Sequence, residues 1–156
     1  MRTLIVTALF GAAVSACGGR APVPFKPVVD NKLLMQSVVD PNADLIWEAV
    51  KVIETSDGMQ NIQPKTDAEW TAVRNAAITV TESGNLMMMP SRAKDGGDWM
   101  KLAQEMITAG EAAMRAAEAR NADKLFTSGG DLYESCTNCH RKYLVAIANA
   151  NKKPAS

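Results

Sequence analysis

The sequence has few aromatic residues and few metal-binding side chains. Phe, Trp and Tyr make up 5% of its 156 residues, while nine methionines are present and 47% of the residues are hydrophobic. Ala and Met favour helices, whereas strands are enriched in β-branched and aromatic residues, so the composition predicts a helical protein. The chain contains one histidine, which excludes a metal centre with two or more histidine ligands within one chain.

An excess of charge of one sign is also missing. Lysine and arginine number 17, and aspartate and glutamate also number 17. Without a basic surface the chain has no electrostatic basis for holding nucleic acid, so we expect no nucleic-acid partner. The length predicts one domain, and a multi-domain enzyme is not expected.

The first sixteen residues have the pattern of an export signal. Arg2 supplies a positive charge, and residues 4–14 form an apolar stretch followed by small residues. This stretch is roughly 10 to 14 residues long, shorter than the ~20 residues that cross a bilayer as a helix. We therefore predict a signal peptide at residues 1–16 and export from the cytoplasm.

Cys17 follows this signal in a pattern similar to the lipobox of bacterial lipoproteins. The segment Val14-Ser15-Ala16-Cys17 places small residues before a thiol, which in that class becomes the lipid-bearing first residue. An ordinary signal followed by an unpaired cysteine is the alternative. In such lipoproteins a residue other than Asp after the cysteine implies the outer membrane, and here Gly18 follows. The resemblance thus implies lipidation of Cys17 and a position on the periplasmic side of a bacterial outer membrane, with the lipid as membrane anchor.

Residues 17–30 contain three spaced prolines and no apolar periodicity. Such prolines hold a chain near polyproline II at about 3.1 Å per residue, which predicts a semi-rigid tether of roughly 40 Å. The tether would separate the membrane from a folded domain at residues 31–150, and residues 151–156 would form a tail.

Apolar residues spaced three and four apart predict four amphipathic helices. The predicted helices cover residues 31–55, 66–89, 98–120 and 121–148, with a polar loop at residues 56–65. Short connections between long amphipathic helices favour an antiparallel four-helix bundle, so the predicted fold class is all-α.

Particular residues mark the expected helix ends. Pro41 lacks an N–H and disfavours helical geometry at Asp40, so we predict a kink or a restart there with Asp40 as the cap. Side-chain caps of the later helices are predicted at Thr66, with Glu69 completing a capping box, and at Asp98 and Asn121.

The most specific motif lies on the fourth predicted helix. Cys136-Thr137-Asn138-Cys139-His140 has the CxxCH spacing of c-type haem attachment. Two thiols three residues apart can reach two vinyl groups on one porphyrin edge, while the next side chain turns under the iron. The motif therefore predicts one covalent haem c on Cys136 and Cys139, with His140 as the proximal iron ligand.

Three other uses of this motif are less consistent with the sequence. A thioredoxin-type redox pair needs a strand before the motif, and helical sequence precedes it here. A zinc site needs a fourth ligand, and the chain offers no other His and only Cys17. A disulfide across two intervening residues would constrain almost no chain.

Two glycines lie within the same predicted helix. Gly129 and Gly130 each cost about 1 kcal/mol relative to Ala in a helix interior. We expect a close approach by another group to compensate for this cost. The alternative is a helix that begins later, at Asp131.

The chain resembles the class II c-type cytochromes, the cytochrome c′ family. The resemblance covers residues 31–148 and rests on a CxxCH near the C-terminus, an aromatic residue at Tyr143 and three preceding amphipathic helices. It implies an antiparallel bundle with haem near one end and places Tyr143 at the cofactor. Family members often carry Arg after that aromatic residue, whereas this chain has Leu144, with Arg141 and Lys142 as nearby charges. Members often form dimers, so the resemblance also implies a homodimer.

The resemblance also bears on the sixth iron ligand. Low-spin members of the family use a Met from the first helix, and Met35 matches its position; high-spin members leave the site empty. The methionines at 87–89 compete for this role, but only one or two of them can face inward from a helix. Most of the nine methionines are expected to be core filler.

Two functions follow from these alternatives. With Met35 as the distal ligand the protein would be a non-enzymatic electron carrier that serves redox partner proteins. With an empty site it would bind or detoxify nitric oxide or another small gas. A haem-containing sensor or accessory subunit is a third hypothesis.

Overall fold

A computed structural model describes the chain from residue 25 to residue 151, with side-chain environments given up to residue 144. The predicted signal peptide, the lipidation site Cys17 and the first part of the tether lie outside the described residues. Residues 25–30 have no helix or strand. Among the described helices, none combines the length and apolar character needed to span a bilayer.

The first helix, α1, covers residues 31–49 without interruption at Pro41. It consists of an α-helical turn at Asn31–Leu34, a π-helical segment at Met35–Val39 and an α-helical segment at Asp40–Ala49. The prediction of a cap at Asp40 was wrong, because Asp40 has helical backbone angles. The wider π turns immediately before Pro41 allow the chain to pass the proline, and the Asn42 side chain donates to the Val38 carbonyl at 2.7 Å.

A β-hairpin follows α1, and the prediction that the helix continues to Thr55 was wrong. Strand β1 (Lys51–Thr55) pairs in antiparallel register with β2 (Gly58–Ile62), from Lys51 opposite Ile62 to Thr55 opposite Gly58. β1 is rich in β-branched residues, and Gly58 has a φ of 120°, which glycine adopts readily. The hairpin also occupies part of the predicted loop. The fold is mostly helical, which is compatible with the predicted all-α bundle, and it carries this small two-stranded sheet in addition.

Three long helices complete the chain. They are α2 (Asp67–Met87), α3 (Asp98–Glu118) and α4 (Ala122–Asn151). The capping box of Thr66 and Glu69 is confirmed. The side-chain carbonyl of Asn121 accepts from the Lys124 backbone N–H at 2.9 Å. The cap predicted at Asp98 was wrong: Gly97 precedes the helix without a side-chain cap, and α3 begins with Asp98.

The four helices form an antiparallel bundle in which each packs mainly on its sequence neighbours and α4 returns to α1. Arg120 at the end of α3 pairs with Asp67 at the start of α2 at 2.9 Å. At the opposite end the Trp99 indole donates to the Met87 carbonyl at 2.8 Å. α1 packs more loosely on α4 than α2 packs on α3, which leaves room for a cavity between α1 and α4.

Two glycines allow close packing of α2 and α3. A Cβ on Gly110 would meet the Thr81 backbone at 3.3 Å, and a Cβ on Gly84 would lie 3.1 Å from the Ala103 carbonyl oxygen. Small side chains therefore set the spacing of these two helices. The largest fully buried apolar side chains come from all helices except α3, and they are Ile46, Val39, Val80, Leu125 and Leu132.

Candidate functional site

A cavity of about 230 Å³ opens among the four helices beside the CxxCH motif. The residues that line it are mostly apolar, and α1 and α4 supply most of them. Four of the predicted site residues lie on its wall: Met35, Cys136, Cys139 and His140. The structure therefore brings the chain's only histidine and both cysteines of its C-terminal half to one cavity, which a methionine from another helix also lines.

Helix α4 places the two cysteines and the histidine of the motif on one face. The helix is continuous from Ala122 to Asn151, so residues at i, i+3 and i+4 lie on one face. Cys136 and Cys139 are half-buried, and His140 is exposed at the edge of the cavity. The sulfur atoms thus face the apolar interior while the imidazole lies where the cavity meets solvent.

Met35 occupies an unusual backbone position. It is the first residue of the π-helical segment, and its carbonyl accepts from the Asp40 N–H five residues later. Its side chain is half-buried and packs against both core clusters of the bundle. Single π turns are rare and occur frequently at functional sites, because the extra residue per turn changes which side chains face inward.

Two further methionines line the same cavity. Met87 from α2 and Met106 from α3 are both buried there. The expectation that only part of the 87–89 run faces inward agrees with this position of Met87. Met106 has no sequence signal for this position, because it lies in the apolar stripe of α3 like any core residue.

Burial raises the pKa of both thiols. For Cys136 the apolar surroundings have the largest effect, and the nearby Asp40 carboxylate raises the pKa further. For Cys139 burial is again the main cause, followed by the Cys136 thiol. Both groups are therefore protonated near neutral pH, as expected of thiols without a cationic neighbour.

Trp47 connects α1 to α4 at one end of the cavity. Its indole N–H donates to the Gly129 carbonyl at 2.9 Å, and its ring packs edge-on against Tyr133 with centroids 5.8 Å apart. A Cβ on Gly129 would lie 3.5 Å from Trp47, which is an ordinary contact, and one on Gly130 would meet nothing within 4 Å. Trp47 thus approaches Gly129, whereas Gly130 has no such neighbour among the described residues. The helix continues through both glycines, so the alternative of a helix beginning at Asp131 is wrong.

Tyr143 lies behind the cavity wall rather than on it. Its ring packs edge-on against Trp99 at 4.9 Å, and Trp99 lines the cavity. The Tyr143 hydroxyl donates to the Asp95 carboxylate, and neighbouring Lys142 pairs with Asp98. Desolvation, followed by the Asp95 hydrogen bond, raises the pKa of Tyr143 to about 12.

The donor set is consistent with a porphyrin rather than a bare metal ion. In the part of the chain described with side chains, no three His, Cys, Asp or Glu residues form a group that could hold a metal ion. A porphyrin supplies four nitrogen ligands itself, so one imidazole and one thioether complete its iron. The cavity is bordered by exposed Tyr133 and His140, so a flat group larger than the cavity could extend towards solvent.

No family model, curated protein or solved structure matches the chain. The functional assignment therefore depends on the residues of the cavity and on the motif that they contain.

Proposed function

We propose that this chain is a single-haem c-type cytochrome that transfers electrons at the periplasmic side of a bacterial membrane. The observation that carries the proposal is the meeting of Cys136, Cys139 and His140 with Met35 in one apolar cavity. The CxxCH spacing specifies haem c, and the position of Met35 on another helix provides a distal ligand. Bound haem would supply reversible one-electron chemistry at its iron.

Each residue has a definite role in this proposal. The thiols of Cys136 and Cys139 would attach the haem covalently, each adding its S–H across one vinyl group. His140 and Met35 would be the protein ligands that hold the iron. A thioether is a soft, uncharged ligand that favours ferrous iron and raises the reduction potential.

The apolar side chains of the α3 wall would limit the access of water to a bound iron on that side. Trp99, Ala103 and Met106 are buried on the α3 side, and half-buried Leu102 lies beside them. These side chains offer few polar groups, which stabilises the less charged, reduced state of a metal centre. At the gap between α1 and α4, Tyr133 is 62% exposed, so a partner protein could approach the haem edge there.

The proposal includes anchorage by a lipid on Cys17. One acyl chain gives only marginal membrane binding, whereas the several chains of a lipoprotein anchor give stable attachment. A tether then keeps the haem domain close to redox partner proteins in the same membrane. A soluble carrier would instead have to diffuse between them.

Covalent attachment provides the test of this function. Haem should remain with the denatured protein after extraction with acidified organic solvent, and the double variant Cys136→Ser/Cys139→Ser should release it. Cys17→Ser is the matched control, because it removes the remaining cysteine and should keep the haem bound. Complete extraction of haem from the unaltered protein would rule out a c-type cytochrome.

A further inference from the structure

Asp95, in the loop between α2 and α3, connects two parts of the molecule that are 48 residues apart in sequence. One carboxylate oxygen accepts from the backbone N–H groups of Gly97 at 2.9 Å and Trp99 at 3.0 Å. The other accepts from the Tyr143 hydroxyl, three residues after His140. These hydrogen bonds stabilise the charged carboxylate, and the pKa of Asp95 is lowered, mainly by the bond from Tyr143.

Of the two aromatic residues held by Asp95, Trp99 lines the cavity and Tyr143 lies behind its wall. Trp99 is buried, donates to the Met87 carbonyl and packs edge-on against Tyr143. Trp99 belongs to a core cluster with Leu34, Met87 and Ala103, and both Met35 and Tyr143 pack against that cluster. A chain of contacts therefore runs from Asp95 through Trp99 and its core cluster to Met35, and from Asp95 through Tyr143 to the helix that carries His140.

We propose that Asp95 is a positioning residue for the axial ligands of the haem. Its carboxylate binds both the Trp99 backbone and the Tyr143 hydroxyl, which holds these two residues in place. The cluster around Trp99, against which Met35 packs, thereby keeps its position relative to the α4 segment that carries His140. The inference rests on the proposed function, because it concerns ligands to a haem. Asp95 contacts neither ligand directly and acts through the Trp99 backbone N–H and the Tyr143 hydroxyl.

The neighbouring pair of Asp98 and Lys142 provides a matched control. Asp98 belongs to the same end of the bundle and also binds a residue of α4. Its side chain is exposed, and it shares no hydrogen bond with Trp99 or Tyr143 among those of the described residues. Removing its charge tests loosening of this end of the bundle while the hydrogen bonds from Asp95 to Trp99 and Tyr143 remain.

The experiment compares the intact haem protein with Asp95→Ala, Asp95→Asn, Tyr143→Phe and Asp98→Asn. Carbon monoxide must displace Met35 from ferrous iron, so its limiting rate of binding reports how often that ligand dissociates. We expect this rate to rise about tenfold or more in Asp95→Ala, with a partly high-spin ferric spectrum. Asp95→Asn keeps one acceptor oxygen and should give an intermediate rate, whereas Asp98→Asn should stay within twofold of the unaltered protein.

The effects of Asp95→Ala and Tyr143→Phe should also be non-additive, because both remove the same hydrogen bond. Far-ultraviolet circular dichroism checks that every variant keeps its helices; if Asp95→Ala does not fold, Asp95→Asn and Tyr143→Phe serve the test. Equal rates in Asp95→Ala and the unaltered low-spin protein, or an equal rise in Asp98→Asn, would overturn the positioning role alone. A high-spin unaltered protein would overturn both this role and the electron-carrier function, and extractable haem would refute the cytochrome itself.

Discussion

Met35 can be tested as the distal ligand by a substitution that keeps its volume and removes its sulfur. Met35→Leu preserves apolar packing, and volume-conserving exchanges of this type usually change the free energy of unfolding by less than about 1.5 kcal/mol. Met35→Ala is less suitable because it also removes packing. Truncating a buried Met lowers the free energy of unfolding by about 2–5 kcal/mol, and half-buried Met35 packs against two core clusters. The leucine variant therefore separates ligation from folding.

The ferric absorption spectrum provides the assay. Met35→Leu should be high-spin, should lose the weak near-infrared band of Met–Fe(III) ligation, and should bind carbon monoxide rapidly in the ferrous state. Its reduction potential should fall, because a thioether stabilises ferrous iron. In the haem-free protein the free energy of unfolding should change by less than about 1.5 kcal/mol, as for other volume-conserving exchanges.

Met87→Leu and Met106→Leu are the controls for this prediction. Both side chains line the same cavity and are more buried than Met35, so they test whether any cavity methionine has the same effect. Both variants should remain low-spin. The reasoning is refuted if Met35→Leu stays low-spin while one of the controls becomes high-spin. If the unaltered ferric protein is already high-spin and binds carbon monoxide readily, Met35 is a packing residue and gas binding becomes the better function.

Three further predictions concern the anchor, the helix packing and the response to alkali. Cys17→Ser should move the protein from the membrane fraction to the soluble periplasm, and mass spectrometry showing an unmodified N-terminus beyond residue 17 in the native protein would refute the anchor. Gly110→Ala should lower the free energy of unfolding by up to about 2 kcal/mol, since overpacking against the Thr81 backbone costs about 1–3 kcal/mol and the helix gains about 1 kcal/mol. Gly130→Ala, which meets no neighbour, should instead stabilise by up to about 1 kcal/mol in the same denaturant titration; a loss as large as that of Gly110→Ala would contradict the packing argument. The pKa of Tyr143 is higher in the folded protein, so the unfolded chain loses this proton first as the pH rises. The free energy of unfolding should therefore fall between about pH 10 and about pH 12. In Tyr143→Phe this decline should be shallower, and equal declines in the two proteins would contradict the reasoning.

The helical part of the fold was predictable because its information is local. Apolar residues at helical spacing predicted α2, α3 and α4, and the side-chain caps at Thr66 and Asn121 were recognisable from neighbouring residues alone. The hairpin was missed because Ile53 falls in helical register with Ala49 and Val50. In the structure Ile53 is exposed on a two-stranded ribbon. Neither face of this ribbon is buried, so the spacing of its apolar residues does not indicate its secondary structure.

The candidate site was predictable to the extent that it lies on one helix. Cys136, Cys139 and His140 are neighbours in sequence, so their common placement at the cavity follows from the motif. The position of Met35 at the same cavity depends on the packing of α1 against α4, which the family resemblance implied and the helical pattern alone did not. Asp95 carried no sequence signal, since its bond to Tyr143 joins residues 48 positions apart.

The π-helical segment at Met35–Val39 makes the register of α1 depend on how these five residues are wound. An α-helix turns by about 100° per residue, because 3.6 residues complete one turn. A π turn holds about one residue more than an α turn, so winding the same residues as α-helix would rotate everything before them by about 100° relative to the part of α1 that carries Ala43 and Trp47. Met35 would then turn away from the cavity, although no residue that lines it had been substituted. Losing one residue of this stretch together with the π turn would instead keep Met35 facing the cavity, so the sixth ligand depends on the winding of α1 as well as on the residue at position 35.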